Sequence, residues 1–213
     1  MRPTLATCPQ NPCLRLSRIL LGLACAAAAV TGFASNGVAR PDRTPPLLFF
    51  DGPLWDIADE GLPYRLTVAW PAAPDPLARL LRAGESRWTV GAGYAVAYDN
   101  LDTGTNTIST RGRDGLLFNA GRQTLWPVPL RLPRGALRLE LEVGLNYAAR
   151  SLPSDGTPLS FSVIGGFEWS NAPGERREWV AGVRWLHLSH GGLFGHNGGY
   201  DGLIFRLGRR WSR

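Results

Sequence analysis

At 213 residues the chain is one domain, or one domain plus a removable leader. Its formal net charge of +6 comes from 23 basic residues, all Arg; residues 1–39 carry Arg2, Arg15 and Arg18 and no acid, so the remainder is only mildly basic and lacks the concentrated positive face of a nucleic-acid binder. Cys8, Cys13 and Cys25 all lie in the first 25 residues, which excludes a disulfide framework or a cysteine-based metal site in the body of the protein.

Arg15 and Arg18 precede an apolar run from Ile19 to Val30, and small residues follow through Ala39. Basic n-region, apolar h-region and small-residue exit are the parts of a secretory signal peptide. Cleavage is expected after Ala34 or after Ala39. A membrane anchor is the competing reading, but the run is short of the roughly 20 apolar residues a spanning helix needs. A lipoprotein site at Cys25 is disfavoured by Gly22, which stands where a larger aliphatic residue is expected. Export places the protein in the cell envelope or outside it.

Residues 40–62 are Pro-rich, then acidic around Asp56, Asp59 and Glu60. They read as a weakly structured lead-in, with Leu47–Phe50 as a short strand at most, and the folded body is expected over 63–213. From there the chain alternates apolar and polar residues with period two, the signature of strands. Tyr64, Leu66, Val68 and Trp70 form one apolar face, and a Pro-bounded helical turn follows near Leu77–Leu81. Trp88 to Tyr98 alternates next. After the polar loop Asn100–Asn106 come two weaker segments, Thr107–Arg113 and Leu116–Trp126. Leu137–Tyr147, Leu159–Trp169, Glu178–Ser189 and Asp201–Trp211 complete the series.

These strands run longer than the usual five or six residues and suit a tilted bilayer crossing of about 9–11. Their apolar faces carry large aliphatics with aromatics towards the ends, and the opposite faces carry charges and glycines. The expected fold is all-β: an antiparallel up-and-down transmembrane barrel of eight strands in the bacterial outer membrane. No segment of the body approaches a spanning helix, so a barrel is the spanning form open to it. A barrel this small is filled by side chains and forms no pore. A soluble periplasmic β-barrel is the rival reading, because alternation alone does not tell lipid from water.

One stretch carries chemistry. Trp185–Gly202 contains all three histidines, a serine and an acid. In Glu178–Ser189 the odd positions hold Trp179, Trp185, His187 and Ser189 and the even ones Gly182 and Arg184. In the closing strand the odd set is again the apolar one, and Asp201 belongs to it. His187, Ser189 and Asp201 are therefore expected on the same outward, lipid-facing side of one hairpin. With both termini periplasmic, the 190–200 loop is extracellular, and the site lies at the level of the outer leaflet. Ser189 is a weak nucleophile that needs an adjacent base, His187 can take its proton, and Asp201 can orient the imidazole. The backbone amides of Gly191 and Gly192 are candidate oxyanion donors, with Asn197 as a side-chain donor or loop brace. Metal binding by His187, His190, His196 and Asp201 is the alternative. It is weakened because His190 falls on the opposite face from His187 and His196 sits mid-loop. For Trp179, Trp185 and Trp211 the reading is membrane-interface belt and lipid contact.

The run H-L-S-H-G-G-L-F-G-H-N-G-G-Y-D resembles the motif of the PagL family of lipid A 3-O-deacylases. The resemblance implies an eight-stranded outer-membrane barrel that removes an ester-linked acyl chain from lipid A, with lipopolysaccharide and outer-membrane lipids as partners and neither cofactor nor metal. It implies His187 as base, Ser189 as nucleophile, Asp201 as orienting acid, Gly192 as oxyanion donor and Asn197 as the family's later Asn. The motif covers about 15 residues, and the rest of the chain agrees in strand pattern and size. Two positions depart from it: His190 replaces an Asn that would offer an amide donor, and Asp201 replaces a Glu one methylene longer. A non-enzymatic structural or adhesive barrel is the second functional class. Whether the barrel forms a homodimer is open.

Overall fold

The computed structural model describes residues 45–56, 61–73, 76–80, 84–97, 115–149, 158–190 and 199–210. The expected signal segment and cleavage sites, Thr107–Arg113 and Trp211 lie outside the described residues. Eight strands close into one barrel in simple sequence order: β1 (Leu47–Asp56), β2 (Gly61–Pro71), β3 (Glu85–Ala97), β4 (Gly115–Pro127), β5 (Ala136–Ala148), β6 (Leu159–Ser170), β7 (Trp179–Ser189) and β8 (Tyr200–Arg210). Every neighbouring pair is antiparallel, and β1 pairs with β8 to complete the ring. A five-residue helix, α1 (Pro76–Leu80), lies between β2 and β3, where the helical turn is expected.

The N-terminal boundary differs from the sequence reading. Residues 47–56 are not a loose lead-in but the full first strand, which closes the barrel from Leu47 opposite Arg210 to Asp56 opposite Gly202. Its sequence, L-L-F-F-D-G-P-L-W-D, hides the strand for three physical reasons. Asp51 breaks the apolar run, yet it points inward, where Arg65 and Arg206 pair with it. Gly52 has its side-chain space filled by Phe205, whose Cε1 lies 2.7 Å from where a Cβ would stand. Pro53 cannot donate to the ladder, and the register with β8 shifts between Pro53 and Trp55.

The barrel is inverted relative to a soluble one. Outside, Leu139, Val143, Leu145, Phe167, Val183 and Leu207 are exposed. Inside, six arginines are buried among acids. At mid-height Arg184 bonds Glu140 and Glu142, and Arg206 makes a two-pronged contact with Asp51 at 2.7 and 3.0 Å. Towards the end where β1 begins and β8 ends, Arg87 reaches Glu168 at 3.0 Å and Arg138 reaches Glu178 at 3.1 Å. Pairing of this kind is what makes a buried charge tolerable, because an unpaired one costs several kcal/mol.

The opposite end of the interior holds no buried ion pair among the described residues, and uncharged Asn119, Asn146, Ser160 and Ser162 lie there beside apolar groups. Ala95, Leu117, Ala148, Ile164, Leu186, Leu188, Tyr200 and Ile204 form one buried cluster. Connections at this end join β1 to β2, β3 to β4, β5 to β6 and β7 to β8, and the longest leaves residues 98–114 between strands. The other end carries a belt of outward tryptophans: Trp70 and Trp88 face each other across β2 and β3, followed by Trp126 on β4, Trp169 on β6 and Trp179 on β7.

Candidate active site

The inner face of the last hairpin sets the direction of its outer face. Leu186 and Leu188 on β7 and Tyr200 and Ile204 on β8 are fully buried in the apolar plug. Successive strand residues point to opposite sides, so the odd residues between them must face out. A one-residue slip would send four large apolar groups to the surface and the polar trio inside, and that cost holds the register. The register observed pairs Leu188 with Tyr200, His187 with Asp201 and Trp185 with Leu203.

His187 and Asp201 are thus direct cross-strand partners. Imidazole Nδ1 and carboxylate Oδ1 lie 3.0 Å apart, with the side chains 31% and 38% exposed. Asp201 is one methylene shorter than the acid of the resembling motif, yet it reaches, because directly opposed residues already place their Cβ atoms within about 5 Å. Ser189 lies two residues beyond His187 on the same strand and the same side, and it is half-exposed. With Nδ1 engaged by the carboxylate, Nε2 is the ring nitrogen left to meet a hydroxyl.

The surroundings are apolar. On the β6 side, Val163 stands opposite His187 and Phe161 opposite Ser189. Trp185, two residues before the histidine, stacks on the imidazole with ring centroids 5.6 Å apart and planes at 24°. Next to Trp185, Gly165 of β6 leaves a bare spot on the outer surface: a Cβ there would meet nothing closer than the Glu140 carbonyl at 4.0 Å. Gly199 enters β8 with φ +38°, and a Cβ on it would sit 3.6 Å from His187 Cε1. A larger residue there would be strained by that backbone angle, while its Cβ would make ordinary van der Waals contact with the ring.

The other sequence candidates divide in two. His190 is 2% exposed and does not join the half-exposed face of His187, Ser189 and Asp201. Its parity explains this: the chain keeps alternating through Leu188, so position 190 turns inward. Gly191, Gly192, Asn197 and His196 lie outside the described residues. Two features escape the sequence reading. Trp185, read there as lipid contact, is also the stacking partner of His187, and the spacing of two along a strand was the available signal. The Phe161–Val163 flank comes from β6, and only strand register brings it to the site.

No family model and no curated protein matches the chain. Among solved structures, the crystal structure of the outer membrane enzyme PagL aligns with 78% of this chain and 99% of its own length, with a TM-score of 0.57 and 16% sequence identity. At that identity the likeness is one of fold: the chain is an eight-stranded antiparallel barrel similar to that of an outer-membrane enzyme.

Proposed function

We propose that this protein is an outer-membrane serine ester hydrolase that removes an ester-linked hydroxyacyl chain from lipid A. The observation that carries the proposal is the 3.0 Å contact between His187 and Asp201 on an exposed apolar face, with Ser189 beside them on the same strand. The apolar exterior and the buried, paired charges support insertion in a bilayer. The fold likeness to an outer-membrane enzyme supports the compartment. In that setting the trio faces the outer leaflet, where the acyl chains of lipopolysaccharide lie alongside.

In the reaction proposed, Ser189 Oγ attacks the ester carbonyl carbon while His187 Nε2 takes its proton. Asp201 holds Nδ1–H and stabilises the imidazolium. The tetrahedral oxyanion is bound by backbone N–H groups of Gly191 and Gly192, with Asn197 as the side-chain donor. Collapse breaks the bond to the glucosamine oxygen, which leaves as the alcohol with the proton from His187. Water, deprotonated by the same imidazole, then cleaves the acyl-enzyme to the free hydroxy acid and restores Ser189. Neither metal nor cofactor is called for by these steps.

The test is mass spectrometry of lipid A from cells producing the protein or its Ser189→Ala variant. The expected result is loss of one hydroxyacyl chain with the native sequence and intact lipid A with the variant. Heat-modifiable gel mobility shows that both barrels are folded. Intact lipid A in both, with folded protein, would overturn the enzymatic reading in favour of a structural barrel.

A further inference from the structure

Gly165 differs from the other glycines of the barrel strands. At Gly93, Gly144, Gly166 and Gly208 a neighbouring atom stands where a Cβ would go, so the close approach of chain to chain requires glycine there. At Gly165 nothing requires it: the backbone is outside the left-handed region, and a Cβ would meet only the Glu140 carbonyl, at 4.0 Å. The position nonetheless forgoes a side chain, on a face where its outward neighbours along β6 are Val163 and Phe167. A glycine inside a strand weakens it, and one that its own packing does not demand marks a place where a ligand or another chain comes close.

The bare spot has walls. Gly165 stands opposite Leu141 on β5 and Trp185 on β7. An aromatic beside a strand glycine can cover it. Trp185 does not: none of its atoms comes within 4 Å of where the Cβ would stand, and its ring is stacked on His187 instead. A notch is left between Leu141 and Trp185, with the exposed Phe167 at its far end.

The notch is in line with the candidate site. Moving away from the 190–200 loop, Ser189 stands opposite Phe161, His187 opposite Val163 and Trp185 opposite Gly165. Phe161 and Gly165 are four residues of strand apart, about 13 Å. An ester held at Ser189 must lay its acyl chain along the outward face, because Leu186 and Leu188 fill the inner one. On the β8 side the row of Trp185 is occupied by Leu203, with Trp55 beyond it. On the β6 side the same row is Gly165, and the path is open.

We propose that Gly165 is the floor of the subsite for the acyl chain that is cut, with Leu141 and Trp185 as walls, and that it sets the preference for chain length. The proposal rests on the ester hydrolysis proposed above and adds a specificity-determining residue to it. Moving a chain from surrounding lipid into the notch removes no apolar surface from water, so the preference comes from close packing alone.

The experiment is a competition. Two lipid A preparations that differ in the length of the ester-linked hydroxyacyl chain are mixed in equal amounts with the full chain folded in detergent, and mass spectrometry reads the long-to-short ratio of hydroxy acid released. The native barrel should release the longer chain in excess. Gly165→Leu should lower the ratio about tenfold, as expected when packing of a methylene or two is lost, and Gly165→Ala should lower it less. Ala120→Leu, the same kind of change at an exposed position of β4, should leave it as in the native chain. A ratio unmoved by Gly165→Leu, or lowered equally by Ala120→Leu, would overturn the inference and leave the hydrolysis standing. So would a ratio unmoved by Gly165→Leu together with a native dimer, seen by sedimentation, that this variant dissociates, since the notch would then hold a second copy. Release of neither acid by the folded native chain would overturn the proposed reaction and this inference with it.

Discussion

The barrel uses acid–base pairs in two places, and the contrast separates architecture from chemistry. In the interior, Arg184 is fully buried and shared among Glu140, Glu142 and, at 3.5 Å, Asp51. Each group has several partners from different strands, so the pairs tie β1, β5 and β7 together and cannot turn over. On the exterior, His187 and Asp201 are half-exposed, joined by one contact and ringed by Trp185, Val163 and Phe161. A pair that is reachable, singly connected and built on a titratable imidazole can pass a proton. A multiply connected guanidinium cannot. Removing the exterior pair should therefore abolish activity and spare the fold, and breaking the interior pairs should do the reverse.

The largest effect expected is that of Asp201→Asn. Losing the carboxylate leaves His187 in the wrong tautomer, and the proposed deacylation should fall by about 10³-fold or more. Urea unfolding of the bilayer-embedded barrel should be unchanged. A barrel as unstable as it is inactive would erase the distinction drawn between the two regions. Arg184→Met tests the other side: it strands Glu140 and Glu142 in the interior and should cost about 3–5 kcal/mol of stability, with the rate per folded molecule retained.

A smaller effect is expected at Trp185. If its ring stabilises the imidazolium formed during the reaction, Trp185→Leu should lower kcat by about tenfold, with KM for lipid A little changed, and Trp185→Phe should keep most of the rate. A KM effect with kcat intact would make Trp185 a lipid contact instead.

The smallest effect concerns Glu178, at the turn into β7. Burial pushes its carboxyl up, but hydrogen bonds from Arg210 and Ser170 and from the Gly174 amide bring it below its ordinary value of 4.5. A carboxyl depressed by folding stabilises the protein above its unfolded pKa and loses that contribution as the pH falls through the folded value. The stability difference between the native chain and Glu178→Gln should thus be constant near neutrality and shrink below about pH 4.5, as read by unfolding at a series of pH values. A difference that grows towards acid would contradict this sign.

Period-two alternation makes β2, β3, β5, β6, β7 and β8 legible from residues alone, because each has one face for hydrocarbon and one for the interior. The same parity places His187, Ser189 and Asp201 on a common face before any coordinates, and it places His190 on the other. β1 was not legible. Asp51, Gly52 and Pro53 each violate strand preference, and each is accommodated by something distant in sequence: Arg206, Phe205 and a register shift against β8. The β6 flank of the site was invisible for the same reason, since Phe161 and Val163 meet Ser189 and His187 only across a strand pair.

By itself, then, the sequence determined the class of fold, the inward or outward direction of most side chains and the identity of the candidate trio, because these depend on local alternation and on residue chemistry. Tertiary structure alone decided that Asp201 stands directly opposite His187 and not one residue away, that a ten-residue β1 closes the ring, and that Trp185 lies on the imidazole. Those are matters of register. Register follows from packing Leu186, Leu188, Tyr200 and Ile204 against Ala95, Leu117 and Ala148 across the whole interior, which no single stretch of the chain encodes.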